Sequence, residues 1–317
     1  MATKRILAID GGGIRGLIPA LVLVRIEELI RPKRIAEVFD LIAGTSTGGI
    51  LAAGLCVPAD HDPKAPKYAA SDLVDLYRQH GKDIFNLNPL RWLVSWLYGP
   101  EYSPKNLEIQ LKDKLGKAML KDAVTELLIT SYDMKAGQAW FFSRSRAEQQ
   151  TDHNFPLWEI ARATSAAPTF FPPFRFPSAG QATLVDGGVF ANNPVVCAWV
   201  DAYRGSERAG GAMILSLGTG SVEHPVTYQS SRRWGKLEWA RPAISAFLDG
   251  QSDTADFQAA KLLGKENYLR LQASLTVDHE KMDNASDANI AALGQAAADL
   301  LAERASELDE FCHRLVQ

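Results

Sequence analysis

Hydrophobic residues in this chain fall into two patterns. The first is a short unbroken run that ends in glycine: "ILAI" before Asp10 and "GGGIRG", "VFDLIA" before "GTSTGG", and "AMILSL" before "GTG". Apolar runs of this length, bounded by turn residues, predict buried strands over 5–9, 38–43 and 212–220. The second pattern recurs every three or four residues. It predicts helices over 17–30, 71–80, 157–166 and 288–315. Pro19 then falls in the first turn of the first helix and Pro32 just beyond its end, where proline is tolerated. Apolar stretches at 127–132 and 139–142 predict a hairpin through "DMKAGQ", and Leu184 and Val185 lead into "DGGVFANNP". Strand, glycine turn and helix follow one another twice at the start of the chain. That order predicts an α/β fold built on a parallel sheet.

Composition narrows the class. A chain of 317 residues with 46% hydrophobic and 22% charged residues can bury a large core as one large domain or two modest ones. A net charge of −3 gives no polybasic surface, so nucleic acid is not an expected partner. Cys56, Cys197 and Cys312 lie far apart, with neither metal-ligand spacing nor a disulfide framework. The expectation is a reducing, cytoplasmic setting with no metal and no cofactor. Lys4 and Arg5 precede only a four-residue apolar run, which does not read as a signal peptide. No stretch reaches the ~18 apolar residues of a membrane span.

The glycine turns carry the candidate chemistry. Gly11-Gly12-Gly13-Ile14-Arg15-Gly16 satisfies G-x-G-x-x-G, a spacing that suits any anion. Glycines let the backbone come close, and the unpaired N–H groups of a helix start point at negative charge. "GTSTG" is G-x-S-x-G with Ser46 at its centre, between a strand and a helix as a nucleophile elbow requires. Position 46 is too early for the usual α/β-hydrolase order, in which several strands precede the elbow. If the first two strands are sheet neighbours, both turns open on one edge. The N–H groups of Gly11, Gly12 and Gly13 would then form an oxyanion hole for an ester attacked by Ser46. Arg15 would add charge, bind a substrate phosphate, or serve as a structural ion pair.

"ILAIDGGGIRG", "FDLIAGTSTGG" and "LVDGGVFANNP" resemble, in order, the three motifs of patatin-like phospholipases. "ATSAAPTFFPP" and "ILSLGTG" resemble further stretches of that family, and "GQSDTADFQAAKLLG" and "DNASDANI" do so more loosely. The resemblance implies a three-layer α/β/α fold with a mostly parallel central sheet and additional C-terminal helices. It covers about 5–220, taken as the catalytic domain; the remainder, 221–317, reads from its own pattern as a mostly helical region packed on the core, without a clean boundary. The resemblance also implies a lipid acyl hydrolase without metal. Ser46 would be the nucleophile and Asp186, in Asp186-Gly187-Gly188, the base of a Ser–Asp dyad. The substrate implied is a phospholipid or lysophospholipid met at a membrane surface. Some members of the family are antiphage effectors switched on by a cyclic nucleotide, so a cyclic-nucleotide activator and a homo-oligomer belong to the alternatives.

Other readings fare less well. A dinucleotide-binding oxidoreductase expects an acid at the end of the second strand, whereas Asp40 lies near its start. A sugar-kinase-like ATPase needs its second phosphate loop much farther from the first. A non-catalytic lipid-binding module leaves Ser46 and Asp186 unexplained. His61, His80, His153, His224, His279 and His313 all sit in polar or loop-like surroundings, and a triad through one of the last three is the minority reading. Residues 84–102 are unusually aromatic. Trp92 and Trp96 are spaced for one helical face, and read as either core or a lid that docks on lipid.

Overall fold

The computed structural model describes residues 3–85, 100–204, 211–222, 226–279 and 281–317. Trp92, Trp96 and His224, and with them the choice between core and lid, lie outside the described residues.

Eight strands form the central sheet: β1 (Lys4–Ile9), β2 (Leu41–Gly44), β3 (Glu126–Asp133), β4 (Gln138–Ser143), β5 (Phe174–Phe176), β6 (Ala182–Asp186), β7 (Ala212–Leu217) and β8 (Tyr268–Leu271). Their order is β8-β7-β1-β2-β3-β6-β5, with β4 also paired to β3. The five strands from β8 to β3 are parallel, and β4, β5 and β6 join by antiparallel pairing. The principal helices are α1 (Leu17–Leu29), α2 (Thr47–Cys56), α3 (Ala70–Ile84), α4 (Pro104–Leu115), α5 (Leu157–Thr164), α6 (Val195–Ala202), α7 (Lys236–Leu263), α8 (Asp287–Glu303) and α9 (Ala305–Val316).

The alternation of side chains along β1 divides these helices into two layers. Leu7 and Ile9 join the cluster that holds α1, α2, α3 and α8. Ile6 and Ala8 join the opposite cluster with Val195, Ala198 and Ala259 of α6 and α7. Both faces of the parallel strands are buried, which is why they read as unbroken apolar runs rather than as alternation. No described helix is long and apolar enough to cross a membrane.

Two elements depart from the sequence expectation. The second strand starts at Leu41 rather than at residue 38, because Ile35–Val38 forms a helical turn closed by the Phe39 N–H on the Ile35 carbonyl at 3.2 Å. Asp40 is then used by Arg5, whose backbone N–H and guanidinium both donate to its carboxylate, at 2.8 and 3.0 Å. The helix expected over 288–315 is two helices, broken at Arg304 (φ −105°, ψ 17°), whose guanidinium bonds Glu307 in the next turn. Residues 221–317 also supply β8, the edge strand of the sheet, besides their helices.

Candidate active site

Register places the two glycine turns together. Ile9 of β1 lies opposite both Gly44 of β2 and Leu217 of β7, so three parallel strands end level. The first turn, the Ser46 turn and the "GTG" turn therefore leave one edge of the sheet side by side.

The third motif arrives from the other direction. Along β3, Gly44 faces Ile129 and Asp186 faces Ser131, while β4 occupies the opposite edge of β3. Strands β2 and β6 thus share one edge of β3 and run toward each other. Asp186, the last residue of β6, comes in two positions beyond the end of β2, where Ser46 has just left it.

Ser46 caps α2 with φ 55° and ψ −124°, a left-handed conformation that strains a residue with a Cβ. The surroundings hold it there. Its N–H donates to Thr164 Oγ1 at 2.8 Å, and its carbonyl accepts from Ile50 N–H at 3.0 Å. The preceding Thr45 Oγ1 bonds both Thr130 Oγ1 and the Ala191 carbonyl at 2.7 Å, tying the elbow to β3 and to the loop after Asp186. Gly48 is required by packing, since a Cβ there would lie 2.2 Å from the Ile9 carbonyl oxygen. The elbow can therefore sit against the end of β1.

Asp186 is buried, and the Ser46 side chain beside it favours its ionised form. Its Oδ1 also accepts the Gly188 N–H at 2.7 Å. Burial pushes its pKa up to about 7, against the opposing pull of the Ser46 side chain and the Gly188 N–H. Both residues face a cavity of about 400 Å³ whose wall is mostly apolar. Ile50, Leu76, Tyr77, Ile84, Phe170 and Phe171 line one side, and Val189, Ile244, Phe247, Leu248 and Gln251 another.

Gly12 and Gly13 also line the cavity. Gly13 has φ 59°, and a Cβ on it would lie 2.2 Å from the Met282 carbonyl oxygen. Gly11 is used differently: its N–H donates to the Asn192 carbonyl at 3.1 Å, and its carbonyl accepts from Thr219 Oγ1 at 2.7 Å. Of the three expected donors, the structure brings two to the cavity and turns Gly11 to the support of the loop. Arg15 is buried beneath that loop, where its charge acts on Asp10, and it is not part of the cavity wall. Among the described residues lining the cavity there is no histidine. Among the described residues, no three His, Cys, Asp or Glu side chains gather as a metal site requires.

Sequence reasoning missed several contributors. Asn192 lines the cavity and donates from Nδ2 to Ser252 Oγ of α7 at 3.0 Å. Arg270 of β8 grips Asp10 through two guanidinium nitrogens, at 2.9 and 2.5 Å, immediately before the glycine turn. Burial works against its charge, but the field and hydrogen bonds of Asp10 outweigh it and hold the Arg270 pKa above its ordinary value. Asn192 stood in the quoted motif "DGGVFANNP" and was its one available signal. Arg270 had none, being 260 residues from its partner.

A three-layer α/β/α sandwich, with a serine on a strained elbow and a buried carboxylate beside it facing an apolar cavity, is the architecture of a hydrolase for apolar substrates. Residues 7–199 match the family model described as Patatin-like phospholipase. Patatin-like protein 1 of Oryza sativa subsp. indica is 35% identical over 98% of this chain and 84% of its own length. Patatin-07 of Solanum tuberosum is 34% identical over 95% of this chain and 84% of its own. Among solved structures, VipD from Legionella pneumophila aligns with a TM-score of 0.40 and 12% identity, covering 94% of this chain and 67% of that one. The chain belongs to the patatin-like phospholipase family, a family of lipid acyl hydrolases.

Proposed function

We propose that this chain hydrolyses fatty-acyl esters of phospholipids or lysophospholipids through a Ser46–Asp186 dyad and an acyl-enzyme. The observation that carries the reading is the meeting of Ser46 and Asp186 in the wall of one apolar cavity, with Asp186 buried enough that its pKa is pushed up to about 7. Asp186 takes the hydroxyl proton as Ser46 Oγ bonds to the ester carbonyl carbon. Negative charge moves to the carbonyl oxygen, and the N–H groups of Gly12 and Gly13 are the donors we assign to it. The proton passes to the alkoxide of the leaving lysophospholipid or glycerophosphodiester as the C–O bond breaks. Water then attacks the acyl-serine with Asp186 again as base, and the fatty acid leaves. Loss of one oxyanion donor typically costs ~10²–10³ in kcat. Arg15 is assigned to holding the loop rather than to a lipid phosphate, because it is buried under the turn. Activation by a cyclic nucleotide and self-association have no supporting observation among the described residues and form no part of the proposal.

The test uses a soluble short-chain ester and mixed phospholipid vesicles with lipid profiling by mass spectrometry. Ser46→Ala and Asp186→Ala should each reduce turnover to background. The double variant should be no worse, because the two groups act as a unit. A fluorophosphonate should label the protein and fail on Ser46→Ala, whereas a non-catalytic lipid-binding module would not label at all. A folded histidine variant as inactive as Ser46→Ala would replace the dyad by a triad.

A further inference from the structure

The wall of the cavity continues onto the outside of the molecule. Phe247 and Ile244 of α7 line the cavity yet are 68% and 39% exposed, and Val189, whose carbonyl accepts from Gln251 of the same helix, is 40% exposed. Residues 244, 247, 248 and 251 follow the spacing of one helical face, so this face of α7 forms the wall. Toward the N-terminus of α7, Trp239 is 45% exposed and packs edge-on against Trp234, with centroids 5.2 Å apart. Arg232 and Arg233 are exposed in the turn that leads into the helix. From residue 232 to 247 the sequence holds four basic residues and one acid, and the aspartates of α7 begin only at Asp249.

An apolar rim of this kind is unfavourable in water and marks a surface that meets something. Its chemistry selects the partner. Tryptophan favours the level of lipid headgroups, where an apolar ring with one polar tip is accommodated. Arginines beside it are drawn to anionic headgroups. The rim is also continuous with the cavity that holds Ser46, so whatever it meets is placed at the cavity mouth.

We propose that the N-terminal half of α7 and the turn before it dock on a phospholipid surface bearing anionic headgroups. Docking seals the cavity mouth against lipid, and an acyl ester reaches Ser46 along Phe247 and Ile244 without crossing water. This rests on the lipid-ester reading of the site.

Vesicle binding is measured by sedimentation on protein carrying Ser46→Ala, with phosphatidylcholine alone and with phosphatidylcholine mixed with phosphatidylglycerol. Turnover of a soluble ester and the melting temperature are measured on the same surface variants with Ser46 intact. The parent should prefer the mixed vesicles. Arg232→Glu with Arg233→Glu should weaken binding to them by about tenfold or more and abolish the preference. Trp239→Ser should weaken binding to both kinds of vesicle. Soluble-ester turnover should be unchanged in both variants. Equal binding by parent and variants, or no preference for the anionic vesicles in the parent, overturns the proposal. If Trp239→Ser lowers the melting temperature, the exposed arginine pair still decides. Binding needs no chemistry, so failure of the dyad would appear as absent ester turnover and failure of docking as absent vesicle dependence.

Discussion

An aspartate in water is ionised at neutral pH and is too weak a base to help serine attack an ester. Asp186 escapes this because the fold removes it from water, and burial carries its pKa up to about 7. Two consequences follow from the sign of that shift. Only the ionised form can accept the serine proton, so kcat/KM on a soluble ester should rise with pH through about 7 and level off above it. Stability should move the other way. Between the carboxylate's unfolded pKa, near 3.8, and its folded value, the folded state binds the extra proton, so stability is fully present at low pH and declines until about 7. A shift of that size corresponds to roughly 4 kcal/mol against the folded state at pH 8. Asp186→Asn keeps the shape without the charge. It should be inactive, yet melt above the parent at pH 8, with the difference shrinking as pH falls from about 7 toward 4. A variant that melts below the parent at pH 8 would show that the ionised carboxylate is stabilising after all. The residue scale also shows what sequence reading can reach. Ser46 stood out because it lies between a strand end and glycines, whereas Asp186 stood out only through the resemblance of its motif to a known family's. Gly11, Gly12 and Gly13 looked alike because nothing in a string of three glycines says which N–H faces inward. That Gly11 faces Asn192 depends on a loop 181 positions away.

At the scale of elements, the strands were legible because burial on both faces writes itself as an apolar run, and the glycines at their ends mark the turns. What could not be read was the pairing. Strand β6 returns antiparallel along the edge of β3 that β2 vacates, and this end-to-end meeting is what joins the second and third motifs. The cavity itself is a product of packing between helices. Ile50 of α2 and Leu76 of α3 line it, and the same two residues line a small separate void bounded by Leu73, Gln110 and Leu111. They are the partition between the two spaces, and on the proposed lipid-ester reading they would set where an acyl chain stops. Leu76→Ala should join the void to the cavity and shift the released fatty acids toward longer chains. It should also lower stability by about 2–5 kcal/mol, as removal of a buried leucine does. Competition between vesicles of mixed chain length, read by mass spectrometry, checks it. An unchanged product distribution in a folded variant would place the chain elsewhere in the cavity. Helix α7 fell within the region read only as mostly helical and was not legible as a wall of the site, since its contact with Val189 and Asn192 spans some sixty residues of sequence.

At the scale of the whole molecule, the first and last parts of the chain depend on one another. Strand β8 pairs with β7, and from it Arg270 reaches across to Asp10, the residue that starts the glycine turn, and also bonds Ser216 Oγ at 2.8 Å. Asp10 is buried, so its charge relies on that guanidinium. Removing one member of a buried ion pair costs about 3–5 kcal/mol, because the other charge is left without a partner. Arg270→Met should therefore lower the melting temperature by roughly 5–8 °C. Turnover should fall alike on a soluble ester and on vesicles, since the loop carrying Gly12 and Gly13 begins at Asp10. Adding Asp10→Asn to Arg270→Met should recover much of the stability without restoring the rate. This separates the cost of an orphaned charge from the loss of loop position. The same contact argues that a fragment ending at residue 220, which keeps every glycine motif but lacks β8, should not fold to an active form. Circular dichroism and fluorophosphonate labelling of that fragment measure both properties. A folded, labelled fragment would show that the catalytic sheet stands without its last strand, and that the Arg270–Asp10 pair serves only to hold the C-terminal region in place.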